Sequence, residues 1–387
     1  MIEQISIHNF KSIREVRVDL SPVTVLIGRS GTGKSTFLLA IRFVRDYLIA
    51  GNAAVPAHGT WRQISPAAAA DQPLSISLRF KLEAFDSYFV YELGFSHQDR
   101  REQRLQLERF MLGDRVLFEV EDRKWTVEPS VTTRPDPGQG AVLGKLPTMS
   151  EAVLAFTALT DGIGWHDLPG SVLCHPEPNT MFGNQMRLDG LSDNAGNYLE
   201  ILGDITRNLR DRVARKVMLE RMQQLNPSVT SVELNSIQKP EYIVVGHKAG
   251  DQVMPLRISQ ESGGFRRFFA HLLALYQTPP RQVLMFEEPE NGIYPGAMSI
   301  LAEELGLAPT EGRGQVILAT HSPGLLDHFS DDEIRVVELD AATHETRIGG
   351  LAAEQRESLR EHLLLPGELF TADPARIEEQ EREASGS

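Results

Sequence analysis

At 387 residues, 41% hydrophobic and 24% charged, the chain has the balance of an ordinary soluble globular protein with room for two or three core-forming units. Its formal charge of −14 argues against a surface coated in phosphate-neutralising Lys and Arg, the main source of nonspecific nucleic-acid binding. The lone cysteine, Cys174, excludes an intramolecular disulfide and argues against a thiolate metal cluster, and the apolar runs are too short to cross a bilayer. The N-terminus MIEQISIHNF lacks the basic-then-apolar pattern of a signal peptide, so a cytoplasmic protein is expected.

Taken in chain order, the first 27 residues alternate as strands do, in ISIHNF, VRVDL and VTVLIG, with a turn over residues 11–15. A glycine-rich turn follows, and STFLLAIRFVRDYLIA then has apolar residues at helical spacing. Residues 74–128 return to strand character in SISLRFKLE, YFVYELGF, LQLERFML and RVLFEVED, which predicts an antiparallel meander. TTRPDPGQG at 132–140 marks an internal boundary through its Pro and Gly. Residues 148–226 read as mostly helical, interrupted by the polar stretch at 181–197, with one helix running from Tyr198 towards Gln224. Positive charge gathers in RNLRDRVARKVMLERM at 207–222, where a solvated helix face and a nucleic-acid contact both remain open. Strands resume in SVTSVEL, EYIVVGHK and QVMPLRIS, and the last third alternates helix and strand as far as RVVELD. The acidic, apolar-poor tail after Phe370 reads as disordered or as a frayed helix. The expected division is an N-terminal lobe (1–147), a mainly helical insertion serving as lid or partner surface (148–228), a C-terminal lobe (229–370) and the tail (371–387).

Chemistry concentrates at three places. GRSGTGKS at 28–35 fits G-x-x-x-x-G-K-[ST] and lies between a predicted strand and a predicted helix, as a phosphate-binding loop requires. Gly28, Gly31 and Gly33 let successive amides of a loop that also holds Arg29, Ser30 and Thr32 turn toward anionic oxygens. The helix beginning near Thr36 adds its positive end. Lys34 supplies a point charge for the β- and γ-phosphates, and the Ser35 hydroxyl is a ligand for Mg²⁺. VLMFEEPENG at 283–292 is an apolar run ending in two acids, and burying paired carboxylates calls for a cation. Glu287 is then expected in the metal shell and Glu288 as general base toward the attacking water. The next apolar run, QVILAT, ends at His321, placed to donate to a γ-phosphate from a strand's C-terminal edge. ESGGFRR at 261–267 is open to two readings, a helix cap at Ser262 or an anion site at a glycine-bearing helix start.

In that order the parts resemble the ABC-type ATPase heads of the SMC, RecF and OLD superfamily, and more closely its short stand-alone RecF- and OLD-like AAA-family members. The resemblance rests on ISIHNFKSIREV, GRSGTGKST, ESGGFRR, MFEEPENGIYPG and LATHSPGLLD, covering the first 50 residues and roughly 255–330. It implies an α/β P-loop NTPase fold with a parallel core sheet, an antiparallel β lobe and a helical lid, and a homodimer that sandwiches ATP and Mg²⁺ head to tail. Ser262, Gly263 and Gly264 would cap the γ-phosphate of the partner's ATP, Glu287 and Glu288 would take the Walker B and catalytic roles, and His321 would be the switch histidine. Lys11 matches a position that approaches the nucleotide, and Gln63 is, by order along the chain, the glutamine that contacts the metal. Glu261, Phe265 and Glu287 depart from the residues usual at their places, and neither a long coiled coil nor room for a Toprim domain after residue 340 is present.

The expected function is an ATP-hydrolysing dimeric switch controlling a separate effector, a nuclease or toxin, or a nucleic-acid transaction, in bacterial antiphage defence or DNA repair, with no membrane partner. The alternatives are a membrane transporter's ATPase subunit and a nucleotide-binding scaffold with little turnover. No motif reads the base, so ATP and GTP both stand.

Overall fold

Strand structure begins at the second residue. In the computed structural model, which describes residues 1–65, 73–99, 102–127, 134–136, 140–177, 190–208, 211–237, 240–361 and 363–378, β1 (Ile2–Phe10) and β2 (Ile13–Asp19) pair antiparallel. Lys11 makes their tight turn in the left-handed conformation, φ 51°. β3 (Val23–Ile27), buried throughout, leaves this hairpin for a second sheet. The first sheet is completed by the meander of β4 (Leu74–Phe80), β5 (Phe89–Asp99), β6 (Glu102–Leu112), β7 (Arg115–Glu121) and β8 (Lys124–Val127), in the order β2-β1-β4-β5-β6-β7-β8.

The second sheet is the parallel core. It is built from β3, β9 (Ile163–His166), β13 (Val283–Glu287), β14 (Gln315–Ala319), β15 (Ile334–Leu339) and β16 (Thr346–Gly349), in the order β16-β15-β3-β14-β13-β9, parallel apart from the β15–β16 hairpin. Between β9 and β13 the chain forms a small antiparallel sheet of β10 (Val229–Asn235), β11 (Tyr242–Ala249) and β12 (Gln252–Arg257).

The period of two along each core strand decides the layering. Val283 and Met285 of β13 face a core shared with Phe37, Leu38, Ile41 and Val44 of the helix Lys34–Ala50 and with the antiparallel sheet. Leu284 and Phe286 face the opposite core, shared with Phe268, Leu272 and Leu275 of the helix Gly263–Tyr276. The helix after the glycine-rich loop is thus held between two sheets, and the helix after ESGGFRR covers the other face of the parallel one.

Three features differ from the sequence expectation. Residues 163–166, read as part of a helical insertion, are β9, the edge strand beside β13. The insertion's helices Ser150–Leu159, Tyr198–Arg207 and Arg212–Leu225 bury apolar faces in the two cores, so the insertion is packed into the body. The single helix expected from Tyr198 is two, the first ending at Arg207 with Asn208 extended as its C-cap, in keeping with the preference of Asn and Asp side chains for caps and turns over helix interiors. Within the tail, Ile377 bridges Leu351, while residues 379–387 and most of the 132–140 boundary lie outside the described residues.

Candidate functional site

The C-terminal ends of β3, β13 and β14 meet at one edge of the parallel sheet, where ligands of open α/β sheets sit. After β3 the chain turns through residues 28–33, and Gly33 opens the helix Lys34–Ala50 at φ 110°. A Cβ on Gly33 would lie 2.2 Å from Thr346 Oγ1, so both the backbone conformation and the space demand glycine there. Thr346 is buried, and its hydroxyl lies 2.8 Å from the Thr32 carbonyl and 2.8 Å from Ser12 Oγ, so the β15–β16 hairpin buttresses the loop from behind. Thr32 donates to the Arg29 carbonyl at 2.9 Å, while Arg29, Ser30 and Gly31 form the exposed tip and Thr36 is half-buried.

Lys34 is buried and folds back over its own loop, Nζ donating to the carbonyls of Gly28 (2.9 Å) and Arg29 (3.0 Å). Burial pushes its ammonium down to about 8, against the pull of Glu287, Glu288 and Glu290. A phosphate at the loop would offer this cation stronger acceptors than two carbonyls.

Ser35 Oγ donates to Glu287 Oε1, joining the start of the helix to the end of β13. The other oxygen, Glu287 Oε2, is buried without a partner. Burial raises the Glu287 carboxyl, helped by Glu288 and by Asp167, while Ser35 and Lys34 pull it down. Sequence reasoning missed Asp167. It follows β9, and since His166 pairs with Phe286, it stands beside Glu287 at the sheet edge. A four-residue strand inside a helical stretch carries too little pattern to reveal it.

An orphaned carboxylate oxygen beside a serine hydroxyl is the kind of oxygen pair that a hard divalent cation accepts, so Mg²⁺ fits Ser35 and Glu287. Among the described residues no group of three or more His, Cys, Asp or Glu can hold a metal. The rest of such an ion's shell would therefore come from water or phosphate oxygens, as Mg²⁺ prefers.

Glu288 sits just past β13 with φ 43°, uncommon for a residue other than glycine. Its amide donates to Ala319 O at 2.8 Å, which turns the side chain away from that of Glu287. The carboxylate accepts from Asn291 Nδ2 at 2.5 Å and lies 3.6 Å from His321 Nε2. Burial lowers the His321 imidazole, with Lys34 acting the same way and Glu288 and Glu290 opposing, so the ring is neutral near pH 7. Lys34, Ser35, Glu287, Glu288 and His321 thus share one sheet edge.

Ser262 is the N-cap of the helix Gly263–Tyr276, its Oγ accepting from Phe265 N at 3.2 Å, so the cap expectation holds within the chain. The helix start is held by its arginines. Arg266 donates to the carbonyls of Val172 (2.9 Å) and Gly170 (2.8 Å), and Arg267 to that of Asn291 (2.6 Å). A Cβ on Gly264 would stand 2.5 Å from Gly292 O, whereas one on Gly263 would meet nothing nearer than 3.9 Å. Gly264 is therefore a packing requirement, and Gly263 lies on the open side beside exposed Ser262. The first amides of a helix have no intrahelical acceptor, and here Ser262 Oγ takes that of Phe265.

The structure places two expected residues differently. Gln63 Oε1 accepts from the Thr60 amide (2.8 Å) and hydroxyl (3.2 Å), capping the short helix Trp61–Ile64, so the oxygen a metal would use is already engaged. Lys11 donates from Nζ to His58 O at 3.2 Å and from its amide to Ile64 O at 2.6 Å, which ties the β1–β2 turn to the ends of two short helices, Val55–His58 and Trp61–Ile64. Burial lowers its ammonium.

Comparison with known proteins finds two family models. Residues 186–327 match a model described as "AAA domain, putative AbiEii toxin, Type IV TA system", and residues 1–99 match one described as "AAA ATPase domain". No curated protein matches. Among solved structures, the chain is similar to an SMC head bound to the C-terminal winged-helix domain of ScpA, with 16% identity, 92% of this chain and 99% of that one covered, and a TM-score of 0.55. A Pyrococcus furiosus SMC head with an extended coiled coil, bound to the C-terminal domain of ScpA, matches with 12% identity, 94% and 99% coverage and a TM-score of 0.53.

Proposed function

Because this chain has the fold of an ABC-type ATPase head of the SMC- and RecF-like kind, with AAA ATPase models matching parts of both halves, we propose that it is an ATP-hydrolysing dimeric switch. Two copies close head to tail on ATP, and a separate effector, a nuclease or toxin, or a nucleic-acid transaction reads the closed state. The toxin–antitoxin wording of the matched model supports antiphage defence as the setting, with DNA repair as the other branch.

The observation that carries the reading is the juxtaposition of Ser35 with Glu287, whose second oxygen is buried without a partner, at the edge that also holds Lys34, Glu288 and His321. Lys34 exchanges its two carbonyl partners for β- and γ-phosphate oxygens. Ser35 and Glu287 would hold Mg²⁺, which would supply charge neutralisation at the phosphates. Glu288, held by Asn291, accepts the proton of the attacking water, and the neutral His321 imidazole donates to the γ-phosphate. Exposed Ser262 and half-buried Gly263, where an added Cβ would meet nothing nearer than 3.9 Å, serve the partner's γ-phosphate through the helix end. Because only the γ-phosphate touches both heads, ATP and ADP bind the closed state with different affinity, and that difference drives the switch.

Glu288→Gln keeps the shape and removes the base. With MgATP it is expected to elute as a stable dimer in sizing chromatography and to release no phosphate. A variant that stays monomeric under those conditions overturns the dimeric-switch reading.

A further inference from the structure

The loop at 288–292 carries a third acid, Glu290, whose carboxylate reaches across to the segment after β14. Glu290 Oε1 accepts two hydrogen bonds from the segment after β14, from Thr320 Oγ1 at 2.7 Å and from the His321 amide at 3.0 Å. Thr320 is itself fixed on three sides. Its side chain is buried, its amide donates to Leu26 O of β3 at 3.1 Å, and its hydroxyl accepts from the Ser322 amide at 2.9 Å. At the other end of the loop, Asn291 donates to the Glu288 carboxylate. Glu288 and His321 follow separate strands, β13 and β14, yet adjacent residues of one short loop hold both.

We propose that Glu290 is a positioning residue that makes the general base Glu288 and the sensor His321 one mechanical unit, through its paired acceptance from Thr320 and the His321 backbone. The proposal rests on the roles read above for Glu288 and His321. A γ-phosphate that draws on the His321 imidazole loads the His321 amide, and Glu290 transmits that displacement to the loop that carries Glu288. The second carboxylate oxygen, Glu290 Oε2, is buried without a partner, so the side chain is retained by its two contacts on Oε1 alone. The role therefore depends on an oxygen acceptor at this point rather than on the charge, and Gln supplies that oxygen.

The test compares Glu290→Ala, Glu290→Gln and Thr320→Val with the parent protein in steady-state MgATP hydrolysis, alongside binding of a fluorescent ATP analogue and thermal melting. Glu290→Ala is expected to lower kcat by about tenfold or more with KM and analogue affinity within about threefold, the loss of one well-placed hydrogen-bond acceptor. Glu290→Gln is expected to recover most of that loss. Thr320→Val, which removes the donor from the opposite side, is expected to lower kcat in the same way and to be non-additive with Glu290→Ala. If Glu290→Ala fails to fold, Glu290→Gln and Thr320→Val carry the same comparison. Full activity of Glu290→Ala, an equal loss in Glu290→Gln and Glu290→Ala, or strict additivity with Thr320→Val overturns the proposal. Glu288→Gln in the same assay separates the premises: if it hydrolyses ATP normally, the reading of Glu288 has failed, and if it is inactive while the Glu290 and Thr320 variants are normal, only the coupling has failed.

Discussion

Gly263 and Gly264 are neighbours with opposite sensitivities, and the pair separates a folding role from a nucleotide role. Introducing a Cβ at 264 brings it to 2.5 Å from the Gly292 carbonyl, a backbone atom that yields only if the loop at 288–292 moves. Overpacking of that kind costs about 1–3 kcal/mol. At 263 an added Cβ meets only the Gly170 carbonyl oxygen, at 3.9 Å, an ordinary van der Waals contact, so a side chain can start there without a clash. Gly263→Asp also places a carboxylate in the first turn, where the helix end favours negative charge by about 0.3–1 kcal/mol. The same carboxylate would face a γ-phosphate presented by the partner. Two unit charges about 5 Å apart at an effective dielectric of about 20 repel by about 3 kcal/mol, roughly a hundredfold in affinity. Gly263→Asp should therefore melt at or slightly above the parent temperature and bind ATP as a monomer, yet lose ATP-driven dimerisation and phosphate release. Gly264→Ala should melt lower by several degrees. The assays are differential scanning calorimetry, analogue binding and sizing chromatography with MgATP in the Glu288→Gln background. Normal turnover by Gly263→Asp refutes the anion-site argument and leaves Ser262 as a helix cap only, and an unchanged melt for Gly264→Ala refutes the packing argument.

Two further outcomes follow from buried groups. Glu108 of β6 accepts from the amides of Val142 (2.7 Å) and Leu143 (2.9 Å) and from the Tyr91 hydroxyl (3.0 Å), and burial nevertheless pushes its carboxyl up to about 7. A carboxyl raised in the folded state contributes stability that is full below about pH 4.5 and lost as pH rises through about 7, worth about 3 kcal/mol across that window. Urea unfolding from pH 4.5 to 8 should show this fall in the parent and a flatter profile in Glu108→Gln, and identical slopes would contradict the assignment. Thr346→Val keeps the shape but removes the hydroxyl between Thr32 and Ser12, so KM for ATP should rise several-fold, as loss of about 1 kcal/mol predicts, with kcat little changed. An unchanged KM would show that the β15–β16 hairpin does not set the loop's geometry.

What could be read from the sequence was local. The glycine-rich loop is legible because its chemistry lies within eight consecutive residues, GRSGTGKS, flanked by a strand and a helix. Glu287, Glu288 and His321 are legible because apolar runs of strand length stop at them. Placing Gln63 by order along the chain missed the local alternative, a capping box with Thr60 that spends its carbonyl oxygen on the backbone. The helix expected from Tyr198 failed for a related reason, because apolar spacing continues across Asn208 while the backbone does not.

The remaining assignments depend on which strands are neighbours. Asp167 stands beside Glu287 only because β9 pairs in parallel with β13, and Glu290 reaches Thr320 only because β13 also pairs with β14. Hydrogen bonds between segments far apart in the chain set those pairings, and no short window of sequence records them. The sequence by itself determined the phosphate-loop pattern and the paired acids at a strand end, since each needs only a local run of residue types. Tertiary structure alone decided that Gly264 is spent on packing against Gly292 while Gly263 faces outward, because close approach between two backbones exists only once both are in place.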